Sequence, residues 1–503
     1  MRQLFFLLIC TFSFLIKGNA NNLTIGTSTY TAANQTLTFN VSWDNSWSIN
    51  AGPSNWDAVW IFVKRQNCTG NNNWVHQLLS TNSANHTAKD GIATSTQVAI
   101  DAVSDGMGVF VRRIGNNVVG NVTAQSITIK LAGTNPNITT SNSDNFEVIG
   151  IEMVYVPQGQ FYIGDGRPTN TNNFSNGTTS QPLLITSAIQ SAGLGTYDKY
   201  VSKPEYGCPV SLPSSFPLGF NAFYVMKYEI QQGLMVEFLN TLTYDQQAVR
   251  LAPAGKLPNV IGAAFGAEIT SYLDVKVTTA GNYNTVPAVF STSYPYLPQH
   301  LNWQDITAIL DWSGLRPMTE FEFEKACRGT LLPVINEFPW GTTTYNFMSN
   351  PSNSATYNFG VKEGYVAGNM ANYNDARPVR SGFAAGSTTN RSQAGATYYG
   401  ILDMAGNVME QCVGGGNSYN YSTFTNTNGD GVLGSNGNAN TTGWPPNGGA
   451  KSGTIFKGGH FNTVSTNLAA FMVSDRQYYD GDNTNASTNS QNKVSGGRGV
   501  RTF

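Results

Sequence analysis

Leu37, Phe39, Val41 and Trp43 alternate with polar residues, and this two-residue period constrains the first third of the chain more than any other feature. Apolar side chains at every second position share one face only when the backbone is extended, so the run reads as a half-buried strand. Val59, Ile61 and Val63 repeat the period, with Trp60 and Phe62 on the other face. Val109 to Val111, then Ile127, Ile129 and Leu131, supply further strands, and Asn- and Gly-rich turns separate them. Residues 21–147 therefore read as an all-β, sandwich-like domain. Trp43, Trp47, Trp56, Trp60 and Trp74 crowd its first half. They are either an aromatic platform for sugars or core and edge packing, and the lack of any regular spacing favours packing.

Thr134 to Asp144 is rich in Asn, Thr and Ser and reads as a linker. A second regime, residues 148–503, follows it. Gln231 to Leu242 places Met235, Phe238, Leu239 and Leu242 on one helical face. Thr319 with Glu322 is a capping box that opens a second helix, which Gly329 ends. Asn302 and Asp305 give the same start signal for a helix through Leu310. The remainder is short apolar runs between long Gly/Asn loops, of which Tyr419 to Gly449 is the extreme case.

Charged residues make up 12% of the chain, about half the usual share. The net charge of −2 leaves no electrostatic footprint for nucleic acid or an anionic membrane. Arg2, the apolar run Phe5 to Ile16 and the small residues Gly18-Asn19-Ala20 form a signal-peptide pattern over residues 1–20, with cleavage expected after Ala20. Ile9 before Cys10 is too bulky for a lipoprotein site, so the expected product is secreted or at the cell surface. No later stretch is long and apolar enough for a transmembrane helix. Cys68, Cys208, Cys327 and Cys412 lie far apart with no CxxC, which excludes a zinc ribbon or thioredoxin-type site and leaves any disulfide pairing open. Asn-x-Ser/Thr triplets start at Asn22, Asn34, Asn40 and Asn137, and the Asn/Thr bias accounts for most of them.

An ordered series of blocks carries a family resemblance. Met153-Val-Tyr-Val-Pro-Gln-Gly-Gln-Phe-Tyr-Ile-Gly164 comes first, then Phe223-Tyr-Val-Met-Lys-Tyr-Glu-Ile230, then Asn302-Trp303. Gly314-Leu-Arg-Pro-Met-Thr-Glu-Phe-Glu-Phe-Glu-Lys-Ala-Cys-Arg-Gly329 and Phe338-Pro-Trp-Gly341 follow. Tyr399-Gly-Ile-Leu-Asp-Met-Ala-Gly-Asn-Val-Met-Glu410, Lys457-Gly-Gly459 and Gly499-Val-Arg501 close the series. Together they resemble the formylglycine-generating enzyme, or sulfatase-modifying factor, family. The resemblance implies an α+β fold of C-type-lectin type behind the all-β N-terminal domain.

Members of that family oxidise a sulfatase cysteine to formylglycine, using copper held by two cysteine thiolates; soft thiolates suit Cu(I). By the family spacing after Gly458-Gly459-His460-Phe461, those thiolates fall at Thr463 and Leu468, and no cysteine follows Cys412. His460 replaces the family's serine, and Met409 and Gln411 replace aromatic residues. A hydroxyl and an isobutyl group cannot hold copper, so the resemblance implies a non-catalytic descendant that lacks copper. His460 is either a single metal ligand or base, or a ring that fills the old cleft. With His76, His86 and His300 the only other histidines, a multi-His site is not expected. The family's calcium ligands map onto Asp403, Gly406, Val408 and Glu410, so Ca2+ is an expected cofactor; a second family site involves Asn372 and Tyr373. Asn426 to Gly431 imitates an EF-hand loop only loosely, because Gly437 stands at its twelfth position. Cys327 matches a family disulfide cysteine whose partner position is Thr502, so it is expected to be an unbonded thiol. The expected function is a surface or extracellular binding module. Its expected partner is a glycan, peptide or protein, with His460, Phe461, Thr463 and Arg476 as a ligand cleft. The alternatives are an oxidase with a rearranged site and a component of a bacterial cell-surface, gliding or secretion assembly.

Overall fold

A computed structural model describes residues 22–67, 71–90, 97–133, 144–167, 173–174, 181–188, 215–251, 268–269, 272–281, 286–347, 378–386, 389–414, 424–445, 453–463, 467–477 and 494–502. The expected leader, Cys68, Cys208, Asn372, Tyr373 and most of the expected linker lie outside them. The first sheet holds β1 (Thr24–Ile25), β2 (Thr29–Thr31), β3 (Thr36–Ser48), β6 (Thr87–Asp90) and β9 (Val118–Lys130). The second is built on β4 (Asp57–Asn67), with β5 (Trp74–Gln77), β7 (Val98–Ala102) and β8 (Val109–Arg113) on one side of it. Leu37, Phe39, Val41 and Trp43 of β3 meet Val59, Ile61 and Val63 of β4 in the core between these sheets. The two-residue period thus delivers one apolar face from each strand.

The second sheet does not stop at β4. It continues through β10 (Asp144–Val156), β13 (Phe223–Met226), β21 (Gly499–Thr502) and β17 (Arg316–Pro317). β10 pairs with β4 from Asp144 opposite Asn67 to Val154 opposite Asp57, and with β13 from Met153 to Val156. Positions 147 and 148, where the composition changes, lie inside this strand. β4 is buried on both faces. Its Trp60 and Phe62 enter a second core with Ile149, Ile151, Met153 and Tyr224. The Trp60 indole N–H donates to Ser313 O at 2.9 Å, and Lys64 Nζ donates to Trp312 O at 2.6 Å. Replacing a buried indole such as Trp60 by alanine costs about 3–5 kcal/mol.

Among the described residues, four α-helices pack on this framework: α1 (Gln232–Asn240), α2 (Tyr244–Leu251), α3 (Trp303–Trp312) and α4 (Glu320–Arg328). Met235, Phe238 and Leu239 of α1 are buried as the periodicity requires. Asn302 Oδ1 caps α3 by accepting the Asp305 N–H at 2.8 Å. In the α4 capping box, Thr319 Oγ1 accepts the Glu322 N–H at 3.2 Å and Glu322 Oε2 accepts the Thr319 N–H at 3.0 Å. Such a cap contributes about 1 kcal/mol. Gly329 ends α4 at φ +67°, where a Cβ would meet the Tyr398 ring at 2.0 Å. α2 is not anticipated by apolar periodicity, yet it has its own cap signal: the Gln246 N–H donates to Thr243 Oγ1 at 3.3 Å, and Gln246 Oε1 accepts the Thr243 N–H at 3.1 Å.

Smaller sheets complete the described chain: β11 (Phe161–Ile163) with β12 (Leu183–Ile185), β14 (Glu268–Ile269) with β15 (Tyr272–Thr279) and β16 (Val289–Thr292), and β18 (Met409–Val413) with β19 (Thr454–Lys457) and β20 (Ser495–Gly496). The architecture is α+β, mostly β with few helices, and its N-terminal region is β-rich. The described part of the Tyr419–Gly449 insertion is anchored on Asp311. That carboxylate accepts the Asp430 N–H at 3.0 Å, the Asn440 N–H at 2.9 Å and the Thr441 hydroxyl at 2.9 Å.

Candidate functional site

The turn after β19 presents the residues expected to line a cleft. Gly458 and Gly459 take φ +84° and +62°. A Cβ on Gly458 would meet Met404 O at 2.7 Å, and one on Gly459 would meet the Phe471 ring at 2.6 Å, so only glycine fits the bend. The His460 N–H donates to Thr463 Oγ1 at 2.9 Å, and the Thr463 N–H returns to His460 O at 2.9 Å. The Asn462 N–H donates to His460 Nδ1 at 3.1 Å. Accepting that bond requires an unprotonated Nδ1, and burial pushes the imidazole pKa down to about 4, so His460 is neutral near pH 7. Phe461 is buried, and its ring lies parallel to that of His300 with centroids 6.1 Å apart. Thr463 is buried, and Leu468, which is half-buried, opens a short 3-10 turn through Phe471.

Cys327 on α4 and Cys412 on β18 are unbonded and fully buried in the core with Val225, Met318 and Phe323. Burial, and next the negative charge of Glu410, holds both thiols well above the usual thiol range. Neither is therefore a nucleophilic thiolate. Thr502, the family's partner position for Cys327, instead accepts from Arg316 NH2 through its hydroxyl at 2.9 Å.

The Glu320-Phe-Glu-Phe-Glu324 run has a structural explanation. Each glutamate receives its own arginine. Arg476 forks onto Glu320 at 2.6 and 2.8 Å, Arg316 onto Glu322 at 2.6 and 2.9 Å, and Arg328 reaches Glu324 at 3.0 Å. All six side chains are almost fully buried. Arg476, expected at the cleft, is thus inside the protein, with its guanidinium 4.1 Å from the centroid of the Phe174 ring.

The expected calcium ligands gather at one turn. Asp403 accepts the Gly382 N–H, the Gly406 N–H donates to Gly458 O at 2.8 Å, and Val408 N lies 3.5 Å from Glu229 Oε1. Two residues not anticipated from sequence complete the cluster, Glu229 and Arg498. Arg498 grips Glu410 with Nε at 2.7 Å from Oε2 and NH2 at 2.6 Å from Oε1. It also donates to the carbonyls of Met226, Lys227 and Leu402 at 3.0–3.2 Å. Both oxygens of Glu410 accept from this guanidinium, so a calcium ion at the expected ligands would share Glu410 with Arg498 or displace it. Among the described residues, no group of three or more His, Cys, Asp or Glu side chains is arranged to hold a metal. Burial lifts the Asp403 carboxyl to about 6 and the Glu229 carboxyl well above its usual range, where the Asp403 charge adds to the effect. The sequence signal for Arg498 was its place in a C-terminal block with two arginines, Arg498 and Arg501, only one of which belongs to the recognised Gly-Val-Arg motif.

Of the tryptophans, Trp43, Trp47 and Trp60 are buried. Trp56 stacks on Tyr155 with centroids 4.1 Å apart, and Trp74 is half-exposed.

The fold and these buried ion pairs define a predominantly β, α+β scaffold whose recognisable blocks mainly carry the framework. A model of the "Sulfatase-modifying factor enzyme 1-like domain" matches residues 142–502. The chain belongs to that family. It is also similar to a formylglycine-generating enzyme of Bos taurus, at 27% identity over 136 residues. That match covers 25% of this chain and 34% of the bovine protein.

Proposed function

We propose that this protein is an exported, non-catalytic member of the family, folded as a C-type-lectin-like unit, that acts as a surface or extracellular binding module. One observation supports the reading: both described cysteines are sealed in the core, and Thr463 is the residue that the family spacing sets against a copper thiolate. The family's copper is held by two soft thiolates, and a threonine hydroxyl beside a single imidazole does not reproduce that pair. The surface around His460 and Asn462 is left to bind a glycan, peptide or protein. Among the described residues no helix is long and apolar enough to cross a membrane. Calcium, in this reading, competes with Arg498 for Glu410 and is not required for folding.

The test is incubation of the purified protein with Cu(I), oxygen and a cysteine peptide of the sulfatase type. The expected result is no aldehyde and no stoichiometric copper uptake. Aldehyde formation overturns the reading. Glycan-array and pull-down binding of the intact protein then identifies the ligand.

A further inference from the structure

The pairing of β13 with β10 ends at Met153 opposite Met226, and the Lys227 N–H makes one more bond to Glu152 O at 2.9 Å. Beyond that point the chain leaves β10 to enter α1. Among the described residues, no strand pairs with this edge of β10 from Glu147 to Glu152. The divergence opens a groove of about 310 Å³ between that edge, α1 and the Pro295-Tyr296 segment. A volume of this order suits a single side chain with its backbone or a small ligand.

The groove is acidic. Glu147, Glu152, Glu229 and Glu237 line it, and among the described residues no lysine or arginine does. Lys227 behind it is already shared between Glu152 Oε2 at 3.0 Å and Asp57 at 3.6 Å, Arg498 acts on Glu229, and Arg380 stacks on the ring of Tyr296 at 4.7 Å. Glu152 is 5% exposed, and its second oxygen, Oε1, has no hydrogen-bond partner. A buried, unmatched carboxylate oxygen costs free energy that a donor from outside would recover. Glu147 and Glu237 both line the groove half-exposed, and burial, with the Glu147 charge adding to it, raises the Glu237 carboxyl to about 7. The walls between the carboxylates are apolar: Ile149, Ile151 and Leu234. Apolar walls with acidic ends match the aliphatic stem and charged head of a long basic side chain.

We propose that this groove binds the lysine or arginine side chain of an extended peptide laid along the open edge of β10. The strand edge supplies backbone hydrogen bonds, and the glutamates supply the choice of side chain. The site shares no lining residue with the His460 surface, so either reading stands without the other.

The experiment is fluorescence anisotropy of a labelled peptide of alternating lysine and threonine with the intact protein. Saturable binding is expected to weaken as salt rises and to fall at least about tenfold in the Glu147→Gln/Glu237→Gln variant. The single variant Glu237→Gln is expected to fall between the two. Both variants are expected to melt no lower than wild type, which separates lost binding from lost folding. A glutamate-for-lysine peptide is expected not to bind, and an N-methylated lysine peptide to bind at least about tenfold more weakly, because it lacks the edge donors. Three results overturn the proposal: no saturable binding of the lysine peptide, unchanged affinity in the double variant, and displacement by spermidine or the N-methylated peptide at the same concentration as by the parent peptide.

Discussion

Replacing Arg498 by methionine removes the guanidinium bound to Glu410 and keeps most of its packing volume. Glu229, Asp403 and Glu410 then lie together in the interior, at 0%, 6% and 1% exposure. Breaking a buried pair from one side costs about 3–5 kcal/mol, because the remaining charge is left unmatched. The Met226, Lys227 and Leu402 carbonyls lose their donor in the same step, which favours the upper half of that range. At about 2–4 °C per kcal/mol for domains of 150–250 residues, and less for a longer chain, differential scanning calorimetry should show a drop of roughly 6–12 °C. The drop has a pH signature. A carboxyl whose folded pKa is raised binds its proton more readily in the folded state, so its destabilisation is present above the folded pKa and relieved as pH falls through it. Asp403 is already lifted to about 6 with Arg498 in place. The deficit of Arg498→Met is therefore largest near about pH 8 and shrinks towards about pH 5. Adding Glu410→Gln restores part of the loss, since it removes one of the unmatched charges. Millimolar calcium is expected to raise the melting temperature of Arg498→Met and leave wild type unmoved, because only the variant has Glu410 available. A melting temperature for Arg498→Met within about 2 °C of wild type near pH 8 would refute the assignment of Arg498 as the cation of this cluster. A calcium response in wild type would show that the metal displaces it.

Two further predictions follow from the titrating groups. The Glu237 carboxyl is raised from 4.5 to about 7 by burial, with the Glu147 charge adding to it, so Glu237 costs stability increasingly as pH rises through that window; Glu237→Gln should match wild type below about pH 4.5 and melt higher above about pH 7, and equal melting temperatures throughout would contradict the raised Glu237 carboxyl. Cys327 and Cys412 should resist alkylation in the native protein and react only after denaturation, read by peptide mapping. Rapid native labelling of Cys412 would reopen the oxidase reading.

Much of the local structure was legible because it rests on short-range rules. The alternation at Leu37 to Trp43 placed β3, the Thr319–Glu322 box placed the start of α4, and Gly329 placed its end. α2 goes unanticipated because its apolar stripe, Tyr244, Ala248 and Leu251, spans only two turns among polar residues, although Thr243 and Gln246 offer the same cap signal as α4. The larger gap concerned contacts between residues far apart in sequence. Trp60 and Phe62 were seen to face the other way, but nothing local says that α1 and α3 cover that face. Likewise, glutamates at every second position of α4 point to different sides of the helix, and nothing local names the arginines at positions 316, 328 and 476 that pair with them.

The candidate site divides along the same line. The expectation that Thr463 and Leu468 stand in place of thiolates rests on family spacing alone, which a sequence supplies. The fate of Glu410 could not be read in this way, because its partner comes from Arg498, 88 residues away. A carboxylate in a glycine turn is a metal ligand or half of an ion pair according to which cation reaches it first. Here the chain brings its own, held by three backbone carbonyls as well as by the carboxylate. A guanidinium fixed at five points has little conformational freedom left to lose, whereas a metal ion must first displace it and then be desolvated. That inequality makes Arg498, rather than an external ion, the expected keystone of the turn, and under the proposed function it would hold the scaffold in shape without the family's redox chemistry.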